Sequence, residues 1–271
     1  MANVPDITPE NRRLQQEYDD LKKIFSDLML SFEYMRQHEG PKLNAIYLKL
    51  LGRRKYEIMR LQVELKALEL RKRFLQSYIN RDQTPDLEEI KRQVKDAVSE
   101  YNRMLEFEAE KLKGAKIFLE SPILSKEDSE ELKALYRLLV KHLHPDINPE
   151  LSDEERDMFL VVQTAYANGD LEKLREISLA INTGKLINTV DYTHNISVYI
   201  EKLKERIGVL EQRISDLEKM FPFTLRKNLS DKEWVKQERK IDAETISQLT
   251  ERRDQLAKIV EVMEEYKSQK L

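Results

Sequence analysis

Residues 139–150, which read LVKHLHPDINPE, carry the side chains of this chain that could do chemistry. His144 and Asp146 could exchange protons, and His142 with His144 could bind a metal ion. A metal site needs more ligands, but the chain has no cysteine and no further histidine near these two. Asp146 lacks a paired acid or base, and we find no glycine-rich phosphate loop, nucleophile elbow or zinc spacing. We therefore expect recognition here, without catalysis, metal or cofactor.

A strongly amphipathic helix must position this segment. Ser125 begins a capping-box-like pattern, which predicts a helix over about 126–143. Lys133, Arg137 and Lys141 are spaced by four, so the three cations form one row on the helix surface. The apolar residues of the inner face are Leu132, Leu135, Tyr136, Leu139 and Val140. The row of cations is thus expected on a different side of the helix from the core.

The residues after this helix predict a compact module. Pro145 must end the helix, and the polar loop around it is expected to be exposed. Ser152 and Glu155 form a second capping box, Gly169 ends the helix that follows, and Asp170 caps a further short helix. The inner face of the second helix is Phe159, Val162, Ala165 and Tyr166. Two antiparallel helices with an exposed tip and a small closing helix follow from these signals.

This module resembles a J domain, the co-chaperone module of DnaJ-type proteins. Tyr136 and Arg137 precede the His-Pro-Asp motif as the tyrosine–arginine pair of that family does, and Asn148-Pro149 follow it as in the family. Phe159, Val162, Ala165 and Tyr166 reproduce the spacing of the family's third helix. The aromatic-rich first helix of the family is reduced to KIFLES, residues 116–121. The resemblance covers about residues 123–180 and does not extend to the long helices.

The resemblance implies a J-domain co-chaperone that is not itself an enzyme. Its partner would be a DnaK-class heat-shock chaperone, whose ATP hydrolysis the His-Pro-Asp loop would stimulate. A basic row beside an exposed loop would also steer an acidic partner, with a salt-sensitive association rate. The coiled-coil arms would bind a client or set the distance to it. The implied partner-binding residues are His144, Pro145, Asp146, Lys133, Arg137, Lys141 and Asn148.

A second interpretation stays open. His142, Leu143 and Ile147 differ from the residues that the family usually has at these positions, and the first helix is reduced. The chain could instead be a coiled-coil scaffold in which the J-like module is only a packing element. A tip packed against the long helices would favour the scaffold.

The composition predicts an all-α protein. Charged residues make up 36% of the chain, and it has only 6 glycines and 8 prolines, so turns are few and helices long. The net charge of -3 gives no global field that would favour nucleic acid or a membrane surface. The absence of cysteine fits a reducing compartment, and no apolar run reaches the roughly 18 residues of a membrane span. The amino terminus is unlike a signal peptide, so we expect a cytoplasmic protein.

Heptad seams flank the module and predict three consecutive regions: long helices over 1–119, the J-like module over 120–181, and a helical hairpin over 182–271. Gly40-Pro41 is expected to break the first long helix. Short breaks favour antiparallel hairpins that close on themselves. The seams could also close on the other hairpin or on a second copy of the chain, which would make a homodimer.

Overall fold

The computed structural model describes residues 9–121, 124–182 and 196–268, and these form helices and no strand, which confirms the all-α class. None of the described helices is both long and apolar enough to cross a membrane. The nine α-helices of the described residues are α1 (Pro9–Tyr34), α2 (Gly40–Tyr47), α3 (Arg53–Asn80), α4 (Leu87–Glu120), α5 (Lys126–Leu143), α6 (Asp153–Asn168), α7 (Leu171–Asn182), α8 (Ile196–Glu218) and α9 (Lys232–Ser268).

The expected break at Gly40-Pro41 is wrong, because the backbone stays helical from Pro9 to Asn80. A π-helical segment at Met35–Glu39 precedes the proline, and the Gly40 N–H bonds to the Met35 carbonyl. The wider π turn absorbs the helical bond that Pro41 cannot donate. A second π segment, Leu48–Gly52, joins α2 to α3.

Two compact units share the chain. Unit 1 comprises residues 1–41 and 122–224, and unit 2 comprises residues 42–121 and 225–271. These units differ from the three consecutive regions expected from the sequence, because each unit combines helices from both ends of the chain. The expected boundary at 181/182 lies beside residues 183–195, which are outside the described part.

Unit 1 surrounds the module that α5, α6 and α7 form. These three helices pack against one another, and α1 packs against both α5 and α8. Tyr136, Leu139, Val140 and Leu143 of α5 are fully buried in the shared core. The ring of Tyr136 stacks on that of Tyr166, with centroids 4.1 Å apart. The core of the module therefore includes helices from outside residues 120–181.

Unit 2 is built around α3, which packs against both α4 and α9. The pairing of α3 with α4, joined by the turn at 81–86, agrees with a helical hairpin. Ion pairs join Lys55 to Asp242 at 2.7 Å and Glu64 to Arg253 at 3.3 Å. The paired positions advance together along both chains, so α3 and α9 run parallel. The partner of α9 is thus α3, in place of the α8–α9 hairpin expected from the sequence.

Candidate partner-binding site

The loop after α5 is anchored by buried apolar side chains on both sides. Leu143 closes α5, Ile147 follows the His-Pro-Asp motif, and both are fully buried. The Tyr18 hydroxyl of α1 donates to the Ile147 carbonyl at 2.8 Å. The loop was expected to be polar, exposed and short of apolar anchors, and that expectation fails at Ile147.

His144 is buried, with 8% of its surface exposed, which corrects the expectation of a wholly exposed tip. Its ring lies between Phe25 of α1 and Phe159 of α6, each in an edge contact with centroids 4.8 Å apart. Its Nδ1 accepts the Asp146 backbone N–H at 3.0 Å, so the proton of the neutral ring is on Nε2. Burial lowers the pKa of His144 to about 4, which keeps the ring neutral at pH 7.

Pro145 and Asp146 are exposed, as expected from the sequence. The Asp146 carboxylate lies 3.8 Å from Arg206 Nε of α8, at the outer limit of an ion pair. The bond from the Asp146 N–H to His144 fixes the backbone of the loop, while Pro145 fixes its own φ angle. The outer half of the motif is thus presented to solvent by a braced inner half.

Asn148 is buried, so its expected role as a directly bound residue is not supported by its position. Its Nδ2 donates to the Lys141 carbonyl at 3.0 Å and to the His144 carbonyl at 3.3 Å. Its Oδ1 accepts from Lys22 Nζ of α1 at 2.7 Å. All three bonds tie the loop to the end of α5 and to α1.

The cations of the row do not present one uniform ridge. Arg137 is exposed, but its Nε lies 2.6 Å from Asp27 Oδ1 of α1. The ammonium of half-buried Lys133 lies over the ring of Tyr34, 3.9 Å from the centroid. The expectation of three equivalent free cations is therefore wrong, because α1 packs along the side of α5 that carries them.

Lys141 differs from the other two cations. It is half-buried, and no acidic side chain among the described residues forms an ion pair with it. Its charge lies close enough to Lys22 to lower the pKa of that lysine, an effect that adds to the larger one of burial and opposes that of Asp19. Burial first, and then Lys22 and Lys141, lower the pKa of His142. Positive charge is therefore concentrated beside the loop.

The helix that sequence reasoning missed at this site is α1. KIFLES lies at the end of α4 in unit 2, where Ile117 and Phe118 are exposed. In unit 1 it is α1 that supplies buried aromatic residues, Tyr18 and Phe25, to the module. The aromatic residues of its seam were the signal available in the sequence, since the other seams are mostly aliphatic.

Burial fixes α1 in place. Tyr18 and Phe25 are each 2% exposed and Leu30 is 7% exposed. Each such side chain stabilises the packed state by about 1.5–3 kcal/mol, whereas an exposed ion pair contributes at most about 1 kcal/mol. Apolar contacts, and not the Asp27–Arg137 pair, decide where α1 lies.

The described residues contain no group of three or more histidine, cysteine, aspartate or glutamate side chains that could hold a metal ion. His142 and His144 are both at the site, but one is buried against aromatic rings and the other faces lysines. The arrangement offers one exposed carboxylate, a rigid proline and neighbouring cations. These groups are suited to contact with another protein. Comparison with protein-family models, with curated proteins and with solved structures found no match to this chain.

Proposed function

We propose that this chain is a J-domain-type co-chaperone that binds a DnaK-class heat-shock chaperone and stimulates its ATP hydrolysis. The observation that carries the proposal is the construction of the loop: His144 braces the backbone from inside, while Pro145 and Asp146 stay exposed. A loop held this firmly loses little conformational entropy when a partner binds it.

In this proposal the exposed residues and the buried residues of the motif have different roles. Asp146 offers carboxylate oxygens to donors of the partner, and Pro145 keeps the loop stiff. His144 acts by positioning, because its Nδ1 is already used by the Asp146 N–H. Lys141 supplies positive charge for an acidic surface. The ATP and the groups that hydrolyse it belong to the partner, and the helices of unit 2 bind a client or set its distance.

The test changes the exposed residue and leaves the brace intact. Asp146→Asn keeps the side-chain shape and the backbone bond to His144 but removes the charge. We expect the full-length parent to accelerate single-turnover ATP hydrolysis by a purified DnaK-class chaperone, and the variant to lose at least about ten-fold of that effect, as for a charged group that pairs across an interface. Asp157→Asn, on the exposed surface of α6, is the control and should stimulate like the parent.

A second function, that of a coiled-coil scaffold with an inactive J-like module, has one observation in its favour. Contacts with α1 engage His144, Asn148, Arg137 and Lys133. A parent protein that fails to stimulate hydrolysis at any salt concentration would support the scaffold. Equal stimulation by the parent and by Asp146→Asn would exclude the proposed use of the loop.

A further inference from the structure

The inference concerns the surface that the proposed partner reads, and it rests on the proposed function. Because α1 is held by buried aromatic side chains, it stays in place when another protein binds. It is therefore part of the surface that a partner meets at the end of α5. The charges of α1 and α5 must be considered together.

Contacts with α1 weaken two of the three cations in the row on α5. Asp27 neutralises Arg137 at 2.6 Å, and the ring of Tyr34 covers the Lys133 ammonium at 3.9 Å. Both contacts lie on the part of α5 that precedes the loop by two or more turns. An approaching acidic surface finds little unpaired charge there.

The opposite holds beside the loop, where α1 adds positive charge. Lys22 lies close to Lys141 and donates to Asn148, which is in the loop itself. Lys23 is exposed and precedes Asp27 by one helical turn on the same edge of α1. Among the described residues, Asp19 is the acidic group that acts on Lys22. The positive charge missing along α5 thus reappears at its carboxyl end, on two helices.

We propose that the docking surface for an acidic face of the DnaK-class partner spans α1 and α5, with Lys22 and Lys141 as its charged residues beside the exposed Pro145-Asp146 tip. Lys133 is outside this surface. The surface is thus assembled from two segments that are distant in the sequence, and neither segment carries it alone.

Neutralising single lysines in the full-length protein tests this surface. The variants are Lys141→Gln, Lys22→Gln and Lys133→Gln, and the control is Lys126→Gln at the opposite end of α5, where the side chain is highly exposed. The readout is the concentration of each variant that gives half-maximal stimulation of hydrolysis by a purified DnaK-class chaperone. At low ionic strength we expect this concentration to rise by about five-fold for Lys141→Gln and Lys22→Gln, as for one exposed charge pair lost. It should change by less than about two-fold for the other two variants, and added salt should shrink all differences.

Lys22→Arg separates a charge effect from a fault in the loop, because arginine keeps both the charge and a donor for Asn148. It should bind like the parent. The two-helix surface is overturned if Lys22→Gln behaves like the parent, if Lys133→Gln weakens binding as much as Lys141→Gln, or if Lys22→Arg fails to restore binding. A parent that does not stimulate hydrolysis at all would refute the proposed function, which is a separate result.

Discussion

Unit 1 and unit 2 are both built from long amphipathic helices, but different contacts hold them. In unit 1, α1 meets the module through aromatic rings and hydrogen bonds to loop atoms, such as Phe25 against His144 and Tyr18 to Ile147. In unit 2, α3 meets α9 through an aliphatic seam flanked by ion pairs such as Glu69 with Arg252. Aromatic edges and backbone acceptors specify one geometry, whereas surface ion pairs mainly specify register. The comparison teaches that the loop owes its shape to α1.

The largest effect is expected when a ring at the α1–α5 contact is removed. Phe25→Ala deletes a side chain that is 2% exposed, which should cost about 3–5 kcal/mol of the free energy of unfolding. Hydrogen exchange should then increase in peptides of α5 and α6. Fluorescence of Trp234, the single tryptophan, reports on unit 2 and should keep its urea midpoint.

Phe107→Ala on α4 is the matched control, since that ring is 63% exposed and its loss should change stability by no more than about 0.5 kcal/mol. If Phe25→Ala left exchange in α5 unchanged, α1 would not be what shapes the loop.

An intermediate effect is expected from pH in unit 1. The folded pKa of His144 is about 4, below the ordinary value of 6.5, so the unfolded state binds the proton first. Stability is complete above about pH 7 and falls as the pH drops toward 4, with about 2 kcal/mol lost by pH 5. Hydrogen exchange of α5 peptides at pH 7 and pH 5 measures the loss.

His144→Gln should lose about 2 kcal/mol less than the parent over the same pH interval, whatever its stability at pH 7. His38 and His142, whose pKa values burial also lowers, are present in both proteins and cancel in the comparison. An identical pH dependence in both proteins would mean that the His144 ring is accessible to protons in the folded state.

The smallest effect is expected in unit 2. Glu69→Gln removes an ion pair whose two side chains are 44% and 66% exposed, so stability should change by at most about 0.5 kcal/mol and less at high salt. Urea denaturation followed by Trp234 fluorescence measures it directly. A loss above about 1 kcal/mol would erase the contrast between the two units.

The local features of the module could be predicted from the sequence. Helix α5 begins and ends where its cap and Pro145 indicate, Ser152 and Glu155 form both bonds of a capping box, and Gly169 has a φ of 69°. Each of these signals acts within a few residues of the chain. Propensity and capping chemistry therefore suffice to locate them.

The partners of the long helices could not be predicted. Heptad seams are similar apolar stripes, so the seam of α1 gives no reason to choose α8 and α5 over its neighbour in the chain. The π segment before Pro41 also escaped prediction, because one wide turn turns a helix breaker into a tolerated residue.

The same limit explains the candidate site. Its residues were found from the motif, but the burial of His144 and the engagement of Arg137 and Lys133 depend on Phe25, Asp27 and Tyr34 of α1. Contacts of such long sequence separation leave no local periodic signal. The chemistry of the motif was therefore readable, while the division into buried and exposed halves was not.

The order of α1 and its neighbours along the chain has a consequence for biosynthesis. The ribosome makes α1 first, but its contacts with α5 and α8 can form only after Glu218 has left the exit tunnel. Until then the apolar side of the nascent helix has no native neighbour to cover it. A protein proposed to assist a chaperone would thus itself need shielding while it is being translated.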